Sequence, residues 1–122
     1  MIRRGPTLTA AGYWTPISGR LEPGESQQDT VIREAHEEMG ATVIPLDKVW
    51  ECPTHNGQFT LHWYRARLVA GGTTQCTVEV DGYQWVTPNE FGRLQPTFPD
   101  DARFFREILP TLPPPPVIGG NR

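Results

Sequence analysis

The chain has two cysteines and two methionines in 122 residues. Two cysteines, Cys52 and Cys76, are too few for a disulfide scaffold, and in a cytoplasmic protein they stay reduced. Cys52-Pro53-Thr54-His55, with His62 nearby, offers sulfur and imidazole, but it lacks the second close pair that a structural zinc site uses. Positive charge is also short: 11 Lys and Arg stand against 14 Asp and Glu, a net charge of −3. With no basic block, binding along a nucleic acid duplex is not expected. No apolar run approaches the roughly 18 residues of a membrane span. Met1-Ile2-Arg3-Arg4 opens without the apolar core of a signal peptide, so a cytoplasmic location is expected. Proline and glycine are plentiful, at 13 and 12 residues. The expected division is one domain over residues 1–110 and a Pro-rich tail over 111–122.

Local signals order the chain. Tyr13 to Ile17 reads as a short extended segment, followed by a turn at Leu21-Glu22-Pro23-Gly24. Thr42 to Cys52 is strand-like, with Pro45 as an irregularity. Asn56-Gly57 is a hairpin signal leading into a second β-rich run, Phe59–Leu68. Gly71-Gly72 opens a loop, and a further strand lies within Thr77–Val86. Thr87-Pro88-Asn89-Glu90 has the order of a helix start, with Thr as cap, Pro first and Glu third. Asp100 or Asp101 is expected to cap a last helix that runs through Leu109 and stops at Pro110. Pro113 to Pro116 suits a polyproline II stretch. Strands, hairpins and helices mix without repeats, which predicts an α+β domain with a curved mixed sheet and helices on its faces.

The most informative segment is a predicted helix over Gln27–Met39. Ser26 suits the N-cap, Asp29 completes a capping box, and Gly40 suits the left-handed position that ends a helix. Val31, Ile32, Ala35 and Met39 form a stripe to pack on a sheet. Beside it Glu34, Glu37 and Glu38 stand at i, i+3 and i+4 on one face. Like charges so spaced repel, by roughly 0.2–0.5 kcal/mol per pair in a bare helix. Two readings follow: a solvated acidic face, or carboxylates set for a hard divalent cation such as Mg²⁺, with Mn²⁺ as a substitute. Arg33 can simply pair with Glu37 at i, i+4.

The wider pattern decides between the two. Gly19, Glu25, Arg33-Glu34, Glu37-Glu38 and Gly40 fix seven positions in twenty-two. Average residue usage gives a chance match odds on the order of 10⁻⁸ to 10⁻⁹ per start position. The pattern resembles the box of the Nudix, or MutT-like, hydrolases. Two positions usually held by bulky aliphatics are Ala35 and Ala41 here. The resemblance covers about residues 3 to 109 and implies an α/β/α sandwich and Mg²⁺-dependent cleavage of nucleoside diphosphate derivatives. It implies metal ligation by Glu34, Glu37 and Glu38 and by the Ser18 carbonyl before the box glycine. Ser18 stands where family members usually have a glycine. Glu25 is implied as a partner of Arg33, which orients the glutamates, and the resemblance groups both with Glu34 and Glu38 as the catalytic set. A distal carboxylate, counted back from Trp85, lands on Glu79; its alternative is an exposed strand residue. Glu90 reads as a cap.

The substrate reader lies outside the box. Trp14, Phe59, Trp63, Tyr64 and Phe98 are candidates to stack on a base, or else to fill the core. Arg65 and Arg67 share one strand face, to hold outer phosphates or to be solvated. Two other functions share the fold: a non-catalytic nucleotide-binding or regulatory module, which typically loses box carboxylates kept here, and a prenyl diphosphate isomerase, for which the chain is short. The family strand preceding Arg3-Arg4-Gly5 is expected to be missing, leaving a bare sheet edge. From that edge and from the tail a homodimer is expected, the alternative being a tail folded back on its own sheet.

Overall fold

The computed structural model describes residues 1–54, 57–72 and 79–116. Five strands and one long helix carry the fold: β1 (Ile2–Arg4), β2 (Trp14–Thr15), α1 (Gln27–Met39), β3 (Thr42–Pro53), β4 (Thr60–Ala70) and β5 (Val80–Tyr83). Two short helices follow, α2 (Pro88–Phe91) and α3 (Pro99–Arg103). A wide π turn over Phe104–Ile108 and a 3₁₀ turn over Leu109–Thr111 continue α3. The domain is α+β, as the mixture of signals predicted.

Helix α1 is built as its sequence dictates. The Ser26 side chain accepts from the Asp29 amide and the Asp29 side chain accepts from the Ser26 amide. Gly40 ends the helix at φ 58°, where a Cβ would be strained. Thr30, Ala35 and Met39 are the buried helix residues, whereas Ile32 is 43% exposed. The apolar stripe is therefore narrower than predicted, and Thr30 takes a place assigned to an aliphatic. Ala35 and Met39 meet Ile2, Ala41 and Val80 in the core, flanked by Ile17, Val43 and Tyr83.

The strands form two sheets. β1 lies between β2 and β5, antiparallel to both, so Ile2–Arg4 is an inner strand and not a bare edge. A parallel bridge joins Trp14 to Thr97. β3 and β4 form a long antiparallel hairpin whose register shifts between Pro45 and Asp47, where the proline lacks an N–H for the ladder. At its tip the Gly57 amide donates to the Thr54 carbonyl. Asn56, the other half of the hairpin signal, lies outside the described residues, as do His55, Cys76 and residues 117–122.

A second apolar cluster joins the hairpin to the C-terminal helices. Trp63 stacks on Phe104 at 4.2 Å, Trp50 lies 5.7 Å from both, and Phe91 meets Phe105 at 4.6 Å. Trp63 is thus a packing residue. The last helix differs from the expectation at both ends. Its N-cap is Phe98, with Pro99 first, because Asp101 is buried and bonded to Thr15 and so is not free to cap. Pro110 sits inside the 3₁₀ turn, where a missing N–H costs little. Beyond it the Arg65 Nη1 donates to the Pro113 carbonyl at 2.6 Å, so the start of the Pro-rich tail is held by its own chain. Phe104→Ala is expected to cost about 3–5 kcal/mol, the range for a buried phenylalanine. Urea unfolding checks it, and a loss under about 1 kcal/mol would mean that this cluster does not hold the hairpin.

Candidate active site

The loop from Ser18 to Ser26 and one face of α1 are joined by a single guanidinium. Arg33 Nε donates to Glu25 at 2.6 Å, Nη1 to Glu34 at 2.5 Å and to Glu37 at 3.2 Å, and Nη2 to the Arg20 carbonyl at 2.8 Å. Glu22 stands 3.2 Å from Nε. Glu25 also accepts from the Glu22 amide and the Thr30 hydroxyl. With so many donors its pKa falls to about 2, Arg33 being the largest cause. Glu25 therefore stays ionised and fully bonded: it positions Arg33, and Arg33 positions Glu34.

Gly19 closes the loop onto this network. A Cβ there would lie 2.0 Å from the Glu34 carboxyl carbon, so only glycine lets the loop reach that carboxylate. Next to it the Ser18 amide donates to Glu38 Oε1 at 3.0 Å. Ser18 thus touches the acidic cluster through its N–H, and the loop holds its place with serine where a glycine was usual.

Glu34 and Glu38 are half-buried, Glu34 against Arg33 and Glu38 without an ion pair among the described residues. Burial raises Glu34, against the pull of Arg33. Burial raises Glu38 further, to about 8, and the charges of Glu34 and Glu79 add to it; the Ser18 N–H and Arg4 only partly oppose them. Glu79 precedes β5, and its carbonyl accepts from the Gly5 amide at 2.9 Å. Its charge adds to the upward shift of both glutamates. Glu37 is the outlying member, its side chain 56% exposed.

Hard carboxylate oxygens crowded away from water suit a divalent cation with oxygen ligands. Among the described residues no three His, Cys, Asp or Glu side chains are gathered so that they could hold a metal ion by themselves. Glu34, meanwhile, faces Arg33. The donor set fits a metal that arrives with other oxygen ligands, as Mg²⁺ does with phosphates and water.

The predicted substrate residues are spread out. Trp14 lies under the Arg3 guanidinium at 5.5 Å, and its amide donates to the Pro96 carbonyl at 2.9 Å. Phe98 meets Tyr13 at 4.8 Å, so Trp14 and Phe98 share one end of the sheet. On β4, the Tyr64 hydroxyl donates to Gln27 at 2.6 Å, and Arg65 is held by Asp47 at 2.6 and 2.9 Å as well as by Pro113. Arg65 is therefore committed to internal partners. Glu90 caps α2 through Thr87, as its position predicted. Sequence reasoning gave no role to Thr30, Arg4 or Arg20, and it offered Asp101 only as a cap. Asp101 is pushed up to about 6, chiefly by burial, with the Thr15 hydroxyl bond opposing.

These shifts set the pH dependence of the metal-free protein. Glu38 and Asp101 both have folded pKa values above their unfolded ones. The stability they contribute is complete below pH about 4 and is lost as pH rises through about 6 and then about 8. In chelator the protein is expected to melt at a lower temperature at pH 8.5 than at pH 5.5. Glu38→Gln should flatten that difference, and millimolar Mg²⁺ should raise melting at pH 8.5. Thermal denaturation that rises with pH over this window would refute the assignment.

Comparison with known proteins gives this arrangement a family. The family model described as NUDIX domain matches residues 1–108. The chain is 29% identical over 112 residues to a protein named NAD-capped RNA hydrolase NudC from Deinococcus radiodurans, a match covering 92% of this chain and 40% of that protein. It is 30% identical over 97 residues to an 8-oxo-(d)GTP phosphatase from Mycolicibacterium smegmatis, covering 79% of this chain and 30% of that protein. An RNA pyrophosphohydrolase from Erythrobacter litoralis is 26% identical over 109 residues, covering 68% and 64%. The chain spans less than half the length of the first two. With the match running from β1 to the π turn and the box residues gathered on Arg33, the chain belongs to the Nudix family.

Proposed function

We propose that the chain is a Mg²⁺-dependent hydrolase of the diphosphate linkage in nucleoside diphosphate derivatives. The observation that carries the reading is the box loop packed on α1: Gly19 lies against the Glu34 carboxylate, Arg33 holds Glu34, and the Ser18 amide donates to Glu38. A purely structural cluster of this kind would cost stability for nothing. The named relatives differ in substrate: NAD-capped RNA, 8-oxo-(d)GTP, RNA. They agree on a hydrolytic or phosphatase activity, which supports the reaction class and leaves the leaving group open.

Glu34, Glu38 and Glu79, with Glu37 and the Ser18 carbonyl in support, would hold the cation. The cation supplies neutralisation of diphosphate charge and acidification of water. The protein's own part is positional and acid–base. Arg33 fixes Glu34 against the loop. Burial raises the basicity of Glu38, which suits it to take a proton from the attacking water as a phosphorus–oxygen bond breaks. Glu34 is the next candidate for that proton, and Glu79 the third. A nucleotide-binding module without turnover is the alternative, and retention of the box carboxylates speaks against it.

Glu38→Gln keeps shape and removes charge. Turnover on a panel of nucleotide diphosphate derivatives should fall at least about 100-fold, within the usual span for an acid–base group, while the fold survives. Wild-type activity should vanish in chelator, return with Mg²⁺ or Mn²⁺, and rise on the alkaline side. No turnover on any panel member would favour the binding module; a profile peaking below pH 6 would defeat the water mechanism.

The proposal extends to a cytoplasmic homodimer. Its support is the β3–β4 hairpin, whose outer edges carry no further strand among the described residues. Sedimentation at micromolar concentration should show a species near twice 13.7 kDa. A single species at that monomer mass would defeat the pairing.

A further inference from the structure

We infer that Arg20 and Phe59 form the outer wall of the substrate site, Arg20 binding phosphate oxygens and Phe59 stacking on the base. The inference rests on the proposed nucleotide chemistry of the Glu34–Glu38 cluster. It starts from the charge distribution in the loop. Arg33, the cation of the box, is taken up by Glu22, Glu25, Glu34 and Glu37 and has no donor to spare for a ligand. Arg20, on the same loop, is paired with no carboxylate among the described residues. Its guanidinium instead lies 4.4 Å from the ring centre of Phe59.

The backbone places Arg20 at the mouth of the cluster. Its carbonyl is held by Arg33 at 2.8 Å, and its neighbour Gly19 packs directly on the Glu34 carboxylate. Arg20 stands two residues from Ser18, whose carbonyl is a candidate metal ligand, and is exposed. A guanidinium stacked on a ring keeps its in-plane N–H donors, and those match a phosphate bidentately.

Phe59 is placed independently of Arg20. Its amide donates to Thr54 Oγ1 at 3.1 Å, and its carbonyl accepts from the Thr54 amide at 2.8 Å. The Tyr64–Gln27 bond ties β4 to the start of α1, bringing the hairpin over the loop. Phe59, just before β4, is 46% exposed, whereas Trp63 on β4 is stacked in the aromatic cluster. An exposed cation–π pair contributes only about 0.5–1 kcal/mol, so a ligand can share the ring at little cost. A base has a π-face whatever its identity, so such a ring holds nucleotides without selecting among them.

Two non-hydrolysable probes separate the roles: α,β-methylene-ADP and methylenediphosphonate, each titrated calorimetrically with Mg²⁺ present. Phe59→Ala should weaken the nucleotide about tenfold, the scale of one lost base stack, and leave the diphosphonate unchanged. Phe59→Tyr should restore the nucleotide. Arg20→Gln should weaken both probes about tenfold, with Arg20→Lys between. Melting temperatures within a few degrees of wild type would show that the variants fold. If wild type binds both probes and the alanine and glutamine variants bind them equally well, the wall assignment is wrong. Equal weakening of both probes by Phe59→Ala would also overturn it, since a loop effect and not stacking would then be at work. Wild type that binds neither probe and turns over no nucleotide would instead sink the reading of the site itself.

Discussion

Everything at the acidic cluster depends on the Arg33 guanidinium. It is planar, permanently charged and supplied with donors in fixed directions, so it can hold several groups at once. Here it gathers four carboxylates and one backbone carbonyl, from a loop and a helix that share no regular ladder. Lysine could satisfy the charge but not the geometry, because an ammonium offers no rigid fork. The loop bonds through Arg33 and the Ser18–Glu38 contact, and the glycine that lets it approach is specified by that same approach. Gly19, Glu25, Arg33 and Glu34 are therefore one constraint seen at four positions.

The arrangement also divides the carboxylates by environment. Glu25 lies among donors and is held to about 2, while Glu38, behind the loop and beside other acids, rises to about 8. Identical side chains, one in the loop and one on the helix, differ in basicity because one is saturated with hydrogen bonds and the other is desolvated. It also explains why a cation would be drawn to Glu38 and not to Glu25: the first lacks a counter-charge and the second already has one.

What could be read in the sequence was what local chemistry determines. The cap at Ser26, the left-handed end at Gly40, the capping box at Thr87 and the break at Pro45 each follow from residues within a few positions, and each is found. The helix face carrying Glu34, Glu37 and Glu38 was legible for the same reason, since spacing alone sets it. What could not be read were partners far along the chain. Asp101 looks like a cap until its bond to Thr15, 86 residues away, is known. Arg65 looks like a free cation until the register of β3 sets Asp47 beside it. The burial of Thr30 in place of Ile32 likewise reflects Glu25, whose carboxylate takes the threonine hydroxyl. The inner position of β1 depends on strand pairings at residues 14 and 83, which no local pattern at Ile2–Arg4 announces.

The same distinction bears on how the substrate is recognised. The Arg33 network is written in a compact motif because its geometry is local: one loop and one helix suffice. A surface that reads a base must combine elements distant in sequence, and it can be assembled in different ways around one cluster. In this chain the aromatics on β4 and at the sheet's end divide accordingly. Trp63 is consumed by Phe104, Tyr64 by Gln27, and Phe98 by Tyr13. Each has a partner that fixes it and leaves less of it for a ligand. Phe59 stays half in water, with Arg20 on its ring and Thr54 holding its backbone, and no second aromatic covers it among the described residues. A base laid on that ring would bury apolar surface that the fold leaves in water, and it would do so without displacing any packing in the core.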